Sequence, residues 1–466
     1  MTYLLLFIPF FSLIVINLVP KGKRAETAFW LCLAILVFQA VVVLTAQFGN
    51  WSTFLTSRLE SLFGFNLQLY KMGQVLVLAS ALAGATALFV ARGTIKKEQE
   101  RFNFIGLLLV SLIGINGIAL VTDIFTLYIF IEVTALATFI LIMLRRSQAG
   151  FEGAFKYLIM SVVATVLMLA AVSLFILVGG GTSFGEINTA VIADPLAFTA
   201  LILFICGLFI KGGMVPFHGW LPDAYTAAPT AVSVWLAGIV TKASGIYALI
   251  RLMSIFGGFE PLQNIMLAVG AASIVIGALA ALGQKDLKRL LAYSSISQMG
   301  YIVIALGTGT VLGLFAALFH FFNHTLFKSA LFANVAAVEE QAGSQEMEKL
   351  GGLAQKMPVT GLTSAIASLS TAGLPPLSGF WSKLLIIIAL WVTAHYAYAA
   401  IAVLASVLTL AYFLLLQRQA FFGTVPAALK DVQEASPILL LPAVVLSLLI
   451  VGIGLAFPFM IQLVLR

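Results

Sequence analysis

Charge is scarce in this chain. Asp, Glu, Lys and Arg make up 9% of its 466 residues, while 62% are hydrophobic. Soluble domains carry about 25% charged residues, so a soluble globular reading is excluded and an all-helical integral membrane protein is indicated. Cysteine is nearly absent as well. Cys32 and Cys206 both lie in apolar runs, without CxxC or metal-ligand spacing, which argues against disulfide and zinc frameworks. There is no Walker loop, no GxGxxG opening a helix and no nucleophile elbow. The chain is therefore expected to hold no catalytic site, no metal and no cofactor of its own. A net charge of +7 could suggest acidic partners, but in a membrane protein it mostly encodes topology, and no nucleic-acid partner is expected. The first apolar run, 3–20, lacks a basic lead and a small-residue cleavage site. It reads as a first helix and not a signal peptide.

A helix needs about 18–25 apolar residues to cross a bilayer. Charges and Gly/Pro clusters then divide the chain into about fourteen spans, near 3–20, 27–48, 70–91, 102–120, 122–144, 154–178, 195–215, 229–251, 260–282, 289–307, 310–336, 359–391 (broken), 394–417 and 436–463. With both termini outside, the inner loops hold seventeen Lys and Arg, including Lys288 and Arg289. The outer side holds four: Arg58, Lys71, Arg251 and Arg466. That asymmetry is the positive-inside pattern. It leaves four lysines that no loop can claim: Lys211, Lys242, Lys328 and Lys383. Among acids, only Glu132, in YIFIEVTALATF, sits deep in a span.

Two sequence patterns recur. Gly213 to Trp220 and Gly373 to Phe380 both read G-x-x-P-x-x-G-aromatic, 160 residues apart. Asp123 to Phe130 and Asp286 to Tyr293 both read D-[IL]-x-x-L-x-x-[FY], 163 apart. Five spans separate the two aspartates, an odd number, so the two units are expected to be inverted. Interrupted helices in inverted repeats point to a transport path near the bilayer midplane. The expected division is an N-terminal three-helix segment (1–101), a first repeat (102–251), a second repeat (260–418) and a C-terminal helix (419–466).

The isolated charges sit where such a path would run. A charge at the bilayer centre costs about 3 kcal/mol on insertion scales, and broken helices survive there only when packed in protein or lining a wet cavity. Lys211 precedes the break at Pro216, which is followed by His218 and Asp223. Lys383 follows the second break, at Pro375 and Pro376. Proline removes a backbone donor and frees carbonyls that can solvate an ammonium or a moving proton. A desolvated lysine can exchange its proton. The alternative is that a lysine snorkels to an interface. Glu132 reads as a partner for a membrane lysine, or as a carboxyl hydrogen-bonded at a helix contact. Lys242 lies in LAGIVTKASGIY without a nearby acid in sequence. His320, His324 and Lys328, at i, i+4 and i+8, share one helical stripe. HxxxH could be half of a zinc site, but a third ligand is missing; a proton relay or two satisfied core histidines remain. Asp123 opens a span at its outer end.

These residues carry a family resemblance. KGGxxPFHxWLPDAxxxAPTxVSxxLAGxxxK, LLAYSSISQMGY, HxxxHxxxK and GLPPLSGFxSK, within about residues 100–420, resemble the antiporter-like membrane subunits. That family is shared by respiratory complex I, energy-converting membrane-bound hydrogenases and Mrp-type Na+/H+ antiporters. The resemblance implies fourteen helices, two of them broken, in two inverted five-helix repeats. It also implies a lateral hydrated chain of charges: Glu132, Lys211, Lys242, His320, His324, Lys328 and Lys383. It implies a prokaryotic inner membrane, protons or sodium as cargo, and partner membrane subunits, including a further antiporter-like or ion-channel subunit. Lys383 in place of a glutamate, Ile131 before Glu132, and an end at Arg466 lean toward a hydrogenase- or Mrp-like relative, or the smallest complex I type. The leading expectation is an ion-translocating subunit of a redox complex. The alternatives are a subunit of a stand-alone Mrp-type antiporter and a scaffold with a degenerate path.

Overall fold

The computed structural model describes residues 3–45, 67–178 and 181–465; Arg58 and Arg466 lie outside them. Among the described residues the chain is helical, and β-structure is limited to isolated bridges. Apart from single turns, the helices are α1 (Leu4–Leu18), α2 (Arg24–Thr45), α3 (Lys71–Thr94), α4 (Glu98–Leu120), α5 (Ile124–Ile142), α6 (Gln148–Leu177), α7 (Phe184–Ala193), α8 (Pro195–Gly212), α9 (Trp220–Ala227), α10 (Thr230–Phe256), α11 (Glu260–Leu282), α12 (Leu287–Leu306), α13 (Val311–Ala342), α14 (Pro358–Ala372), α15 (Ser378–Val392), α16 (Tyr396–Phe421) and α17 (Pro437–Leu465). Among the described residues, eleven stretches are long and apolar enough to cross a membrane, and α1 and α15 are shorter apolar helices.

Both sequence breaks are real interruptions. α8 ends at Gly213 (φ 63°) and α14 at Gly373 (φ 90°). This left-handed conformation is open to glycine at little cost. In each, the residue after the glycine donates back into the helix: Met214 to Phe209 at 2.9 Å and Leu374 to Leu369 at 3.1 Å. Val215–Pro216 and Pro375–Pro376 are cis. The first break differs from expectation in one respect: the chain forms the short helix α9 before α10 begins.

The paired aspartates also adopt matching roles. Asp123 caps α5, accepting from Thr126 N at 2.8 Å, and Asp286 caps α12, accepting from Arg289 N at 2.9 Å. Each also bridges to a residue sixty positions on, Asp123 to Ser183 and Asp286 to Glu346. A short polar residue at an N-cap satisfies an otherwise orphaned helix donor.

Two helices form the centre. α10 is buried along all but two of its residues, Ser254 and Ile255. α13 packs against α3, α10, α12, α14, α15 and α17. A helix enclosed on all sides must either be apolar all round or satisfy its polar groups internally. Both helices carry lysines, so their neighbours must supply the partners.

Candidate functional site

Lys211 and Glu132 meet. Lys211 Nζ lies 2.8 Å from Glu132 Oε1 and 2.7 Å from Ser161 Oγ, which joins α8, α5 and α6. The lysine side chain is 2% exposed and the glutamate 23%. Two opposite charges at 4 Å are worth about 4 kcal/mol at an effective dielectric of 20, so this closer pair is a dominant local interaction. The pairing spans 79 residues of sequence.

α8 and α10 approach through glycine. A Cβ on Gly245 would lie 2.3 Å from Gly212 N. That close contact brings together the helices that bear Lys211 and Lys242. Around Lys242 the helix widens into π-type turns, Leu236–Val240 and Lys242–Tyr247. Such bulges are frequent at functional sites. Lys242 Nζ reaches Thr325 Oγ1 at 3.3 Å, across to α13.

On α13 the predicted stripe is buried. His320 Nδ1 is 2.9 Å from Ser382 Oγ on α15. His320 Nε2 and both ring nitrogens of His324 have no hydrogen-bond partner within the described protein. The two rings lie 6.5 Å apart. Lys328 donates to Leu291 O at 2.9 Å and to Ser294 Oγ, both on α12. Lys383 donates to Ala372 O at 3.3 Å, at the end of the broken α14, and its ammonium sits 4.5 Å from the Tyr301 ring centroid. Lys242, Lys328 and Lys383 are thus held by hydroxyls, carbonyls and a ring face. Buried polar groups are normally hydrogen-bonded, so unpaired imidazole nitrogens beside these cations mark a polar interior seam.

The remaining residues singled out from sequence have other partners. Asp123 is a helix cap. Asp223 is clamped by Lys156 at 2.8 Å and Arg289 at 2.6 Å, which ties α9 to α6 and α12. Its carboxylate is therefore engaged by those two cations. His218 is half-buried in the first break, with Pro216 exposed. Pro375 and Pro376 form the second break.

Sequence reasoning missed several charges. Lys288, read as a loop cation, is 2% exposed; it donates to Ala228 O at 2.9 Å and lies 3.9 Å from Glu339. Glu339, just past the expected end of its span, also accepts from Thr230 and lies 3.6 Å from Arg145. Arg251, expected on the outer side of the membrane, is buried, with its guanidinium 3.9 Å from the Tyr70 ring centroid. The available signal was spacing: Glu339 lies eleven residues from Lys328, three helical turns along the same face.

The family described as NADH:quinone oxidoreductase/Mrp antiporter, transmembrane, matches residues 121–409. A Na(+)/H(+) antiporter subunit from Alkalihalophilus pseudofirmus is 31% identical over 433 residues, covering 91% of this chain and 85% of the relative. An NADH-quinone oxidoreductase subunit from Desulforudis audaxviator is 32% identical over 408 residues, covering 84% and 81%. A chain in the solved structure of the Mrp complex from Dietzia sp. DQ12-45-1b superposes with a TM-score of 0.87 at 26% identity, over 99% of this chain and 96% of that one. With its apolar helices, these matches make the chain an integral membrane protein of antiporter-like fold.

Proposed function

This chain belongs to the NADH:quinone oxidoreductase/Mrp antiporter family, and on that footing we propose that it translocates protons within a multisubunit membrane complex. The observation that carries the reading is the pair of buried Lys211 with half-buried Glu132, followed by three buried lysines with neutral partners and two buried histidines. The proposed order is Glu132, Lys211, Lys242, the His320–His324–Lys328 stripe, then Lys383. When a neighbouring subunit's charge draws Glu132 away, Lys211 loses its main counterion and gives its proton toward Lys242. Lys383 gates release to the outside. Sodium in a linked step is an alternative cargo. Pro216 and Pro376 support the path by freeing carbonyls at the two breaks, with Pro375, His218, Asp123 and Asp223 in supporting places.

The architecture proposed for this is fourteen membrane-crossing units in two inverted five-helix repeats, 102–251 and 260–418, after an N-terminal segment (1–101) and before a C-terminal one (419–466). Support comes from the matched glycine caps and aspartate caps of the two halves. Both termini would face the outside of a prokaryotic inner membrane. Its partners would be other membrane subunits, among them an antiporter-like or ion-channel subunit.

A redox complex is the first reading of its setting, in keeping with the match to an NADH-quinone oxidoreductase subunit. An Mrp-type antiporter is the second, favoured by the match to the Alkalihalophilus antiporter protein and by the Mrp complex structure. Purification of the intact complex from membranes decides between them. Iron–sulfur or quinone-reducing partners support the first, and their absence from a complete, active complex supports the second. The translocation itself is tested in vesicles containing that complex: Lys211→Ala is expected to abolish pH-gradient formation. A normal gradient at normal abundance sinks the proposal.

A further inference from the structure

A recess of about 650 Å³ opens between α1, α4 and α5, and no residue of the lateral chain lines it. Its walls are largely apolar, with Leu107 on α4 and Ile140 on α5. Ile140 is 43% exposed, so the recess opens sideways, where lipid tails would lie. Its polar groups come from the helix ends: Asn17, Asn103 and Arg146. The sequence concentrates cations at this same end. Lys21, Lys23 and Arg24 follow α1, Lys96, Lys97 and Arg101 flank the start of α4, and Arg145 and Arg146 follow α5. In a bilayer the apolar wall of such a recess meets acyl chains and its basic end meets headgroups.

Two guanidiniums stand at that end. Arg146 has φ 50°. A residue with a Cβ is disfavoured in this left-handed conformation, and glycine is its usual occupant just past a helix. Here the position holds a long cation at the edge of the recess. Arg24 donates to the carbonyl of Asn17 at 2.9 Å and to that of Val19, and lies 5.8 Å from the ring centroid of Phe102, which also lines the recess. Those bonds use two of the five N–H groups of an arginine. Among the described residues, neither Arg24 nor Arg146 pairs with a carboxylate. The flanking acids turn elsewhere: Glu26 to Arg92 and Glu100 to Lys97, each at 2.9 Å, and Glu152 to Lys156 at 2.6 Å. Glu98 stands exposed in the first turn of α4.

We propose that this recess is a binding site for an anionic phospholipid. One acyl chain lies along Leu107 and Ile140, and the phosphate sits at Arg146, with Arg24 on the same rim. Charge complementarity selects this occupant. A zwitterionic lipid brings its own cation, and an apolar helix from another subunit brings no anion, so either leaves the guanidiniums uncompensated. A phosphate accepts two parallel N–H bonds from one arginine. Basic pockets between membrane helices are a recurrent form of anionic headgroup site. The inference is independent of the translocation reading.

The test is native mass spectrometry of the intact complex, titrated in detergent with phosphatidylglycerol or phosphatidylcholine. The wild type is expected to hold one more phosphatidylglycerol per copy of this chain than Arg146→Gly does, or to bind it about fivefold more tightly, the effect of one cation near a headgroup. Glycine suits φ 50°, so this variant removes the charge without straining the backbone. Arg146→Lys is expected to keep most of the binding. Leu107→Trp, which fills the apolar part, is expected to displace the lipid even with both arginines in place. Equal phosphatidylglycerol in wild type and Arg146→Gly overturns the site, as does equal retention of phosphatidylcholine. Loss of a neighbouring subunit from Arg146→Gly, with lipid unchanged, makes the recess a protein interface and overturns it too. If Arg146→Gly does not assemble, Leu107→Trp decides, and undiminished lipid in that variant refutes the proposal.

Discussion

Lys211 and Lys383 sit beside helix breaks of the same shape, but their surroundings differ. Lys211 has a carboxylate at 2.8 Å and a hydroxyl at 2.7 Å. Lys383 has a carbonyl at 3.3 Å and the face of Tyr301. A buried ion pair broken on one side costs about 3–5 kcal/mol, because the remaining charge is left uncompensated. A cation–π contact is worth about 2 kcal/mol when desolvated, and losing the cation leaves behind only neutral groups. The first site therefore holds its charge until the carboxylate is moved. The second can release a proton without stranding an opposite charge. Two similar backbones thus suit capture at one end and discharge at the other.

The sharpest way to break this comparison is Lys211→Ala. It strands Glu132, and transport is expected to fall by about 10²-fold or more, measured as gradient formation in vesicles. Next comes Lys383→Ala. Single-turnover release is expected to slow by about tenfold while uptake at Lys211 continues; loss of uptake with intact release would reverse the assigned direction. A smaller change is expected from Glu132→Gln, which keeps the shape but removes the charge. Transport should fall several-fold at normal abundance, and unchanged transport would show that the pair does not couple. The smallest effect contrasts the breaks themselves. Alanine at Gly213 or Gly373 carries about 1–2 kcal/mol of left-handed backbone strain. At Gly373 the new Cβ meets Lys383 Cδ at 3.0 Å, while at Gly213 it meets Leu221 Cδ1 at 2.4 Å. Thermal unfolding should register both, but release kinetics should change more in Gly373→Ala.

Much of this was legible in the sequence because bilayers impose long apolar runs and leave interior charges conspicuous. The apolar stretches, the two breaks and the four lysines follow from that contrast, but not every helix end: α13 runs on to Ala342, past the expected 336, and carries Glu339 with it. The Glu132–Lys211 contact was legible only as two unmatched charges, since nothing along the chain measures a distance across 79 residues. Lys288 was misplaced because KDLKRLLAY looks like a basic loop, whereas its burial depends on Ala228 and Glu339 from other helices. Arg251 is covered by Tyr70, from a distant part of the chain, which its own stretch does not announce. Asp223 sits in a motif beside the break, but its two cations come from α6 and α12. Hydropathy records what a residue is, and not which helix comes to cover it.

The wide turns of α10 have a mechanical consequence. A π-type turn stores one more residue than the α-helix on either side needs. If that surplus migrates by a single position, the residue it passes turns through about 100°, and the ends of the helix stay where they are. Lys242 opens one of these turns. Its ammonium can thus be swung away from Thr325 with no sliding of α10 past its neighbours, which the Gly212–Gly245 contact would obstruct. The helix behaves like a screw with slack in its thread, and the slack lies at the lysine.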